Sequence, residues 1–388
     1  MRILVLHNDY QQAGGETMSV QAEIASLQAR GHDVNILQIS NDTLNSMTRK
    51  EALERVLRPK FSFDLVNDAL QKNSPEIVHA QNLFPLLGAG AINALYSNRI
   101  PWVRSLRNFR KRCLSANLFR EGETCTICKT SRTALKGIAK GCYRDSKAQS
   151  AVALAYARQE YAAERRYPPK AYVAVSELVA HEVQESLVPG IPLVIKPNAV
   201  RNNASPSKTS RSGVLFVGRL EGHKGIDIAV AMARAMPDVS FTFVGDGPES
   251  GVVGAAELSG QNITWFRRLQ NTKVLELMAA SQLVIAPSRW MEPFGRVAVE
   301  SMSVGTIPLV GNVGGMREIV EKFDKSLALP VDNVYDWISK SRCILSMDES
   351  EYRLHSASCF SAYQEHYTVR TNGVLLEEIF EKYAVGND

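Results

Sequence analysis

Short runs of β-branched and aliphatic residues alternate with helical patterns along almost the whole of this chain, and that alternation narrows its possible folds more than any other feature. In the first half, ILVLHN, VNILQIS, EIVHAQ, PWVRSL, AYVAVS and PLVIKP read as strands, with helix-like stretches such as residues 16–30 and 147–165 between them. Strand, helix, strand repeated in this way predicts βαβ units and parallel sheet, because parallel neighbours need a long crossover connection. Residues 201–212, RNNASPSKTSRS, are polar, contain Pro and Ser, and read as a linker. The pattern then restarts with GVLFVG, SFTFVG, ITWF, QLVIAPS and TIPLVG. Beyond residue 333 only helical patterns remain, in WISKSRCIL, EYRLHSASCFSAYQ and GVLLEEIFEKYA.

A chain of 388 residues is too long for one ordinary core and suits two domains. The expected layout is an α/β first domain over 1–200 with a Cys-rich basic insertion at about 107–147, a linker at 201–212, a second α/β domain over 213–370, and a C-terminal helix from 371 to 388 that crosses back to the first domain. Both domains are expected to be doubly wound parallel sheets, and a cleft is expected between them.

A hydrophobic fraction of 45% with 22% charged residues fits a soluble globular enzyme. No stretch approaches the roughly 18 apolar residues that a membrane span needs, so a cytoplasmic protein is expected. In that setting the six cysteines are expected to be reduced thiols or metal ligands. The net charge of +5 is uneven: the first 200 residues hold 26 basic and 18 acidic side chains. Residues 99–147 alone hold 13 basic and 3 acidic side chains, among them Arg104, Arg107, Arg110, Lys111 and Arg112. Such a segment could face anionic lipid or a phosphorylated acceptor, or be a solvated loop. No nucleic-acid motif accompanies it, and no nucleic-acid partner is expected.

In open parallel sheets the ligand sits outside the carboxyl ends of the strands, so the turns there are where function is sought. After the first strand, Gly14 and Gly15 precede a helix in HNDYQQAGGETM, an arrangement that suits an anion at a helix start or a plain tight turn. In FVGRLEGHKGID, Gly218 ends a strand, and Arg219 and Lys224 flank the following loop, where two cations could share a diphosphate. The turn at Gly245, Asp246, Gly247 and Pro248 reads as ordinary turn chemistry. In EPFGRVAVE, Glu292 precedes a Pro293–Phe294–Gly295 turn and Glu300 lies eight residues on, inside an apolar helix. Ionised carboxylates only accept hydrogen bonds, so the pair is suited to the hydroxyls of a nucleotide sugar. A carboxylate between VAV and MSV needs a reason to be there.

Together, FVGR…HKG, VGDGP, PS…EPFGRVAVE and GNVGGMREIV resemble the retaining glycosyltransferases of family 4, and the resemblance covers essentially the whole chain. It implies the GT-B fold of two facing Rossmann-like domains, and a hexosyltransferase-type enzyme of polysaccharide or glycoconjugate synthesis. Under it, Glu300 binds the ribose, while Glu292 with the Phe294 and Gly295 amides holds the donor sugar. Arg219 and Lys224 stabilise the leaving diphosphate, which implies no catalytic metal. Gly14 and Gly15 lie near the donor phosphates, and Arg267, Arg268 and Leu269 border the base. The first domain, with QNLFPLLGAGAINAL followed by LRNFRKRCLSANLFREGETCTIC, is similar to a subgroup whose members often carry histidine where this chain has Gln81 and Arg107. Those two positions and Asn108 are implied on the acceptor side.

Cys113, Cys125, Cys128 and Cys142 are spaced C-x11-C-x2-C-x13-C, and the CTIC knuckle suits half of a tetrahedral thiolate site. A structural zinc is expected there, with unligated thiols as the alternative. Two functions remain open. One is transfer from a nucleotide sugar to a glycan or lipid-linked acceptor, with the basic first domain docked at the inner face of a membrane. The other is a degenerate nucleotide-sugar-binding protein acting as sensor or partner subunit.

Overall fold

The computed structural model describes residues 1–9, 15–202, 211–260 and 262–385, the side chains of 384 and 385 excepted. Gly14 and most of the expected linker, 203–210, lie outside the described residues. The chain forms two compact units, one of Met1–Leu118, Cys125–Ala199 and Asn372–Asp388, the other of Phe119–Thr124 and Val200–Thr371.

Fourteen strands are described. The first unit contributes β1 (Arg2–Asp9), β2 (Asp33–Ser40), β3 (Ile77–Ala80) and β4 (Trp102–Leu106). A two-stranded antiparallel ribbon follows, β5 (Phe119–Arg120) and β6 (Glu123–Thr124), and then β7 (Ala171–Ala174) and β8 (Leu193–Ile195) return to the first sheet. That sheet runs β2-β1-β3-β4-β7-β8, parallel throughout. In the second unit β9 (Val214–Val217), β10 (Phe241–Val244), β11 (Ile263–Phe266), β12 (Leu283–Ala286), β13 (Ile307–Gly311) and β14 (Ala328–Leu329) run β11-β10-β9-β12-β13-β14, again parallel. The strand order reverses beside β1 in one sheet and beside β9 in the other, so each unit has a switch point at a strand's carboxyl end.

Each apolar run read from the sequence contains one of these strands. The runs are continuous rather than alternating because helices cover both faces of a parallel sheet. Leu4, Leu6, Val78 and Trp102 pack on Val66, Leu70, Ile92 and Leu95 of the helices Pro59–Asn73 and Gly88–Asn98. On the opposite face, Ile3, Val5, Ile77 and Val103 pack on Val20 and Leu27 of the helix Gly15–Ala29. Leu376, Ile379 and Phe380 complete this second layer, each worth roughly 1.5–3 kcal/mol when fully buried. Glu377 fixes the register of that last helix by accepting from Arg30 and from His32 Nε2 at 2.8 Å.

Candidate active site

The switch point of the second unit gathers the sequence-predicted residues. β9 ends at Val217, Gly218 and Arg219 follow, and a short 3-10 turn Gly222–Lys224 leads to Gly225 and the helix Ile226–Ala235. Gly225 has φ 74°, and a Cβ there would sit 2.0 Å from the carbonyl oxygen of Pro287. Only glycine therefore lets the turn after β9 touch the turn after β12. The contact brings together side chains far apart in sequence. Lys224 Nζ lies 2.6 Å from Glu292 Oε1 and 4.8 Å from the ring centre of Trp290. His223 meets Trp290 edge-on and its Nε2 is 3.1 Å from Glu221, while burial and then the Lys224 charge hold its pKa below the usual histidine value. Arg219 is mostly exposed and pairs with Glu221 at 2.7 Å.

Past Glu292, Pro293 and the buried Phe294 lead to Gly295, which at φ 96° caps the helix Arg296–Ser303. A Cβ on Gly295 would meet Met316 Cγ at 2.0 Å, so the turn packs directly against the helix Gly314–Val320. The Gly315 amide donates to the Glu292 carbonyl at 2.7 Å, locking the loop that carries the carboxylate. Glu300 is buried on the Arg296–Ser303 helix and accepts from Arg296 Nη2 at 2.9 Å. Burial pushes its carboxyl up, against the opposing pull of Arg296 and a hydrogen bond from Asn271. Each of the two glutamates thus has its own cation, Lys224 or Arg296. Arg267 stacks on Trp265 at 4.4 Å, and Leu269 is half-buried against the core around Leu215 and Val244. His223, Trp290 and Arg296 escaped the sequence reading. For Arg296 the signal was present, in its four-residue spacing from Glu300.

In the first unit Gln81, Arg107 and Asn108 do lie together, but Gln81 and Arg107 are taken up by a buried ionic network. Arg107 pairs with Glu23 at 2.7 Å, donates through Nε to Gln81 at 2.8 Å, and reaches Asn198 through Nη1. Lys196 is the second cation on Glu23. Burial alone would raise the Glu23 carboxyl, but Arg107 and Lys196 outweigh it and hold Glu23 well below the usual carboxylate range. Next to it, burial presses His79 down to about 3, with its Nε2 2.8 Å from Ser105 Oγ. Glu23, His79, Lys196 and Asn198 were missed. A glutamate inside the apolar helix VQAEIASL gives the same signal that drew attention to Glu300.

The basic segment is likewise more internal than its composition suggests. Arg104 and Lys111 pair with Glu160, Lys111 also with Glu164, and Arg112 with Glu182. Lys129, Lys136, Lys140 and Lys147 are the exposed lysines of this segment. Cys113, Cys125, Cys128 and Cys142 are half-buried and not joined in disulfides. Burial raises the Cys128 thiol, and the nearby Cys113, Cys142 and Cys125 raise it further. Among the described residues no group of three His, Cys, Asp or Glu side chains is arranged to hold a metal ion, although the other three thiols lie near Cys128.

The order of the sheets, the switch points and the extent of structural similarity decide the architecture. The fold is GT-B. A sucrose-phosphate synthase from Thermosynechococcus elongatus shares it with a TM-score of 0.69 over 99% of both chains at 16% identity. The GT-B protein HepE of Anabaena, solved with UDP and glucose, matches with a TM-score of 0.65 over 98% of this chain and all of that one, at 17% identity. Within this GT-B chain, residues 201–358 match the family model described as Glycosyl transferases group 1. A glycogen synthase of Mycobacterium tuberculosis is 32% identical over 120 residues, which span 29% of each chain. Phosphatidyl-myo-inositol mannosyltransferase of the same organism is 27% identical over 172 residues, 41% of this chain and 45% of that one. The match therefore spans less than half of either curated relative, and the family-matched region of this GT-B chain is the one that holds Arg219, Lys224, Glu292 and Glu300.

Proposed function

We propose that this protein is a retaining glycosyltransferase of family 4 that moves a hexose from a nucleotide-diphosphate donor to a glycan or lipid-linked acceptor. The observation that carries the reading is the meeting of Lys224 and Glu292 across the turns after β9 and β12, at the switch point of the family-matched domain. In this reading the anomeric carbon loses its bond to the diphosphate and gains one to the acceptor oxygen on the same face of the sugar. The acceptor's proton passes to the departing diphosphate. Lys224 and Arg219 stabilise the charge that develops there, so no metal is needed for that step. Glu292, with the Phe294 and Gly295 amides, orients the sugar, and Glu300 receives the ribose hydroxyls. Gly15, Gly218, Arg268, Leu269 and Pro293 shape the donor's surroundings. A donor of this class is supported by the Anabaena relative's complex with UDP and glucose.

Chromatographic detection of donor consumption in wild type, Arg219→Ala and Glu292→Ala tests the site. Each substitution should slow turnover by roughly 10²–10³-fold, as expected for a group that stabilises developing charge or orients the substrate. Undiminished turnover in both would remove the assignment. The engagement of Gln81 and Arg107 by Glu23 favours a second reading, a nucleotide-sugar-binding protein without transfer, which would bind donor and consume none. For contact with an anionic membrane at the cytoplasmic face, Lys129, Lys136 and Lys147 are exposed cations of this segment. Sedimentation with anionic vesicles should then weaken steeply with salt. No helix among the described residues is long and apolar enough to cross a membrane.

A further inference from the structure

Two arginines of the first unit, Arg104 buried and Arg110 half-buried, carry buried donor atoms whose hydrogen bonds are unmade. Arg104, in the middle of β4 and 6% exposed, donates through Nη2 to Glu160 at 2.9 Å, while its Nε and Nη1 have no partner. Arg110 donates through Nη1 to the Leu114 carbonyl at 2.9 Å, and its Nε has no partner. Both line one pocket at the carboxyl ends of β3 and β4, together with Asn82, Asn108 and Lys111. A buried cationic donor left unmade is costly, and such groups in native proteins mark a place where an oxygen belongs. Of the acids nearby, Glu160 holds Arg104 and Lys111, Glu164 holds Lys111 and accepts from Tyr172 at 3.0 Å, and Glu16, which also lines the pocket, accepts from Asn108 and faces Arg107 and Arg110, its carboxyl pushed up by burial. Three donors from two guanidinium groups suit a tetrahedral oxyanion with more than two oxygens, which a carboxylate does not have.

What lies beside the pocket is apolar. The guanidinium of Arg110 stacks on the Phe84 ring at 3.9 Å. A small cavity shared by Phe84, Arg110, Tyr156 and Glu160 lies between the pocket and a wide groove on the far side of Phe84. This groove has ≈ 1420 Å³ of open space and is lined by Leu44, Met47, Leu53, Val56 and Val152, with Arg49 and Arg144 also on its walls. Leu53 is 43% exposed, an apolar side chain facing open space that a hydrocarbon would cover. Anion pocket and apolar groove are thus linked through the Phe84–Arg110 stack, Arg110 lining the one and Phe84 the other.

We propose that the first unit binds an anionic amphiphile, with its phosphate on Arg104 and Arg110 and its hydrocarbon chain in the groove beyond Phe84. That this ligand is the acceptor rests on the transferase reading; that it binds does not.

Calorimetric binding of decyl phosphate, below its micelle concentration, and of inorganic phosphate tests this in an Arg219→Ala background, which weakens competition from the donor site. Decyl phosphate should bind at least about a hundredfold more tightly, since covering only a few methylenes accounts for that ratio. Arg110→Gln should weaken both ligands by about tenfold or more. Leu53→Asp, at an exposed position, should weaken decyl phosphate alone. Arg110 is preferred to Arg104 for substitution because loss of Arg104 strips Glu160 of a buried partner. Equal affinity for the two phosphates, no binding of either, or binding indifferent to Arg110→Gln would overturn the proposal. Should decyl phosphate bind as described while no nucleotide does, the amphiphile site stands and the transferase reading falls; the reverse result separates them the other way.

Discussion

At the scale of single residues, the chain spends its buried charges in two different ways. Glu292 and Glu300 keep one cation each on either side of the Pro293–Gly295 turn, whereas Glu23 is saturated by Arg107, Lys196 and Gln81. The second arrangement has a consequence for pH. His79 is buried and held neutral, with its pKa lowered to about 3, so between that value and the ordinary histidine value near 6.5 the unfolded chain binds a proton that the folded chain refuses. Stability should therefore fall as pH drops below about 6.5, with a slope from this group approaching 1.4 kcal/mol per pH unit. Glu23 acts in the same direction at lower pH, because its depressed folded pKa contributes stability that is lost as pH falls below the unfolded value near 4.5. Urea denaturation of wild type and His79→Gln between pH 4 and 7 checks this; the variant should show the shallower slope above pH 5, and identical slopes would contradict the buried, neutral His79.

Elements explain which of these features could be read in advance. Central strands such as β3, β4, β9 and β12 are buried on both faces, so they appear as unbroken apolar runs that need no knowledge of partners. β14 and the β5–β6 ribbon are two residues per strand, too short to leave a pattern. The helix Arg49–Leu57 announces itself only through its capping box, Thr48 with Glu51, and Pro59 opens the next helix. The residues of the proposed donor site could be singled out because they fall on or just after turns that follow strands, where local sequence carries the geometry. The Glu23 network was not, since Arg107 and Lys196 reach it only once β4 and β8 are in place. Gly225→Ala is the sharpest test at this scale. Its positive φ and the 2.0 Å approach to the Pro287 carbonyl should make it destabilising by roughly 2–4 kcal/mol, visible in the denaturation midpoint. It should also part Lys224 from Glu292. Wild-type stability in this variant would mean that the turns after β9 and β12 are not held in contact.

Across the whole molecule, two parallel six-stranded sheets carry unequal information about function. The second unit places Arg219, Lys224 and Glu292 in turns braced by glycine contacts, with Arg296 and Glu300 on the helix that follows. In the first unit Gln81 and Arg107, two of the positions read as acceptor-side, are tied into the Glu23 network, and the unmet donors sit instead at Arg104 and Arg110. The central claim, that Glu300 and its neighbours form a nucleotide-sugar site, is tested most directly by thermal shift of wild type and Glu300→Ala with UDP, GDP, ADP, TDP and CDP and matching sugar donors. A nucleotide at 100 times its dissociation constant should stabilise the wild type by about 2.7 kcal/mol, and that gain should vanish in Glu300→Ala. A panel in which no nucleotide stabilises the wild type, or one in which the variant responds as fully as the wild type, would contradict it.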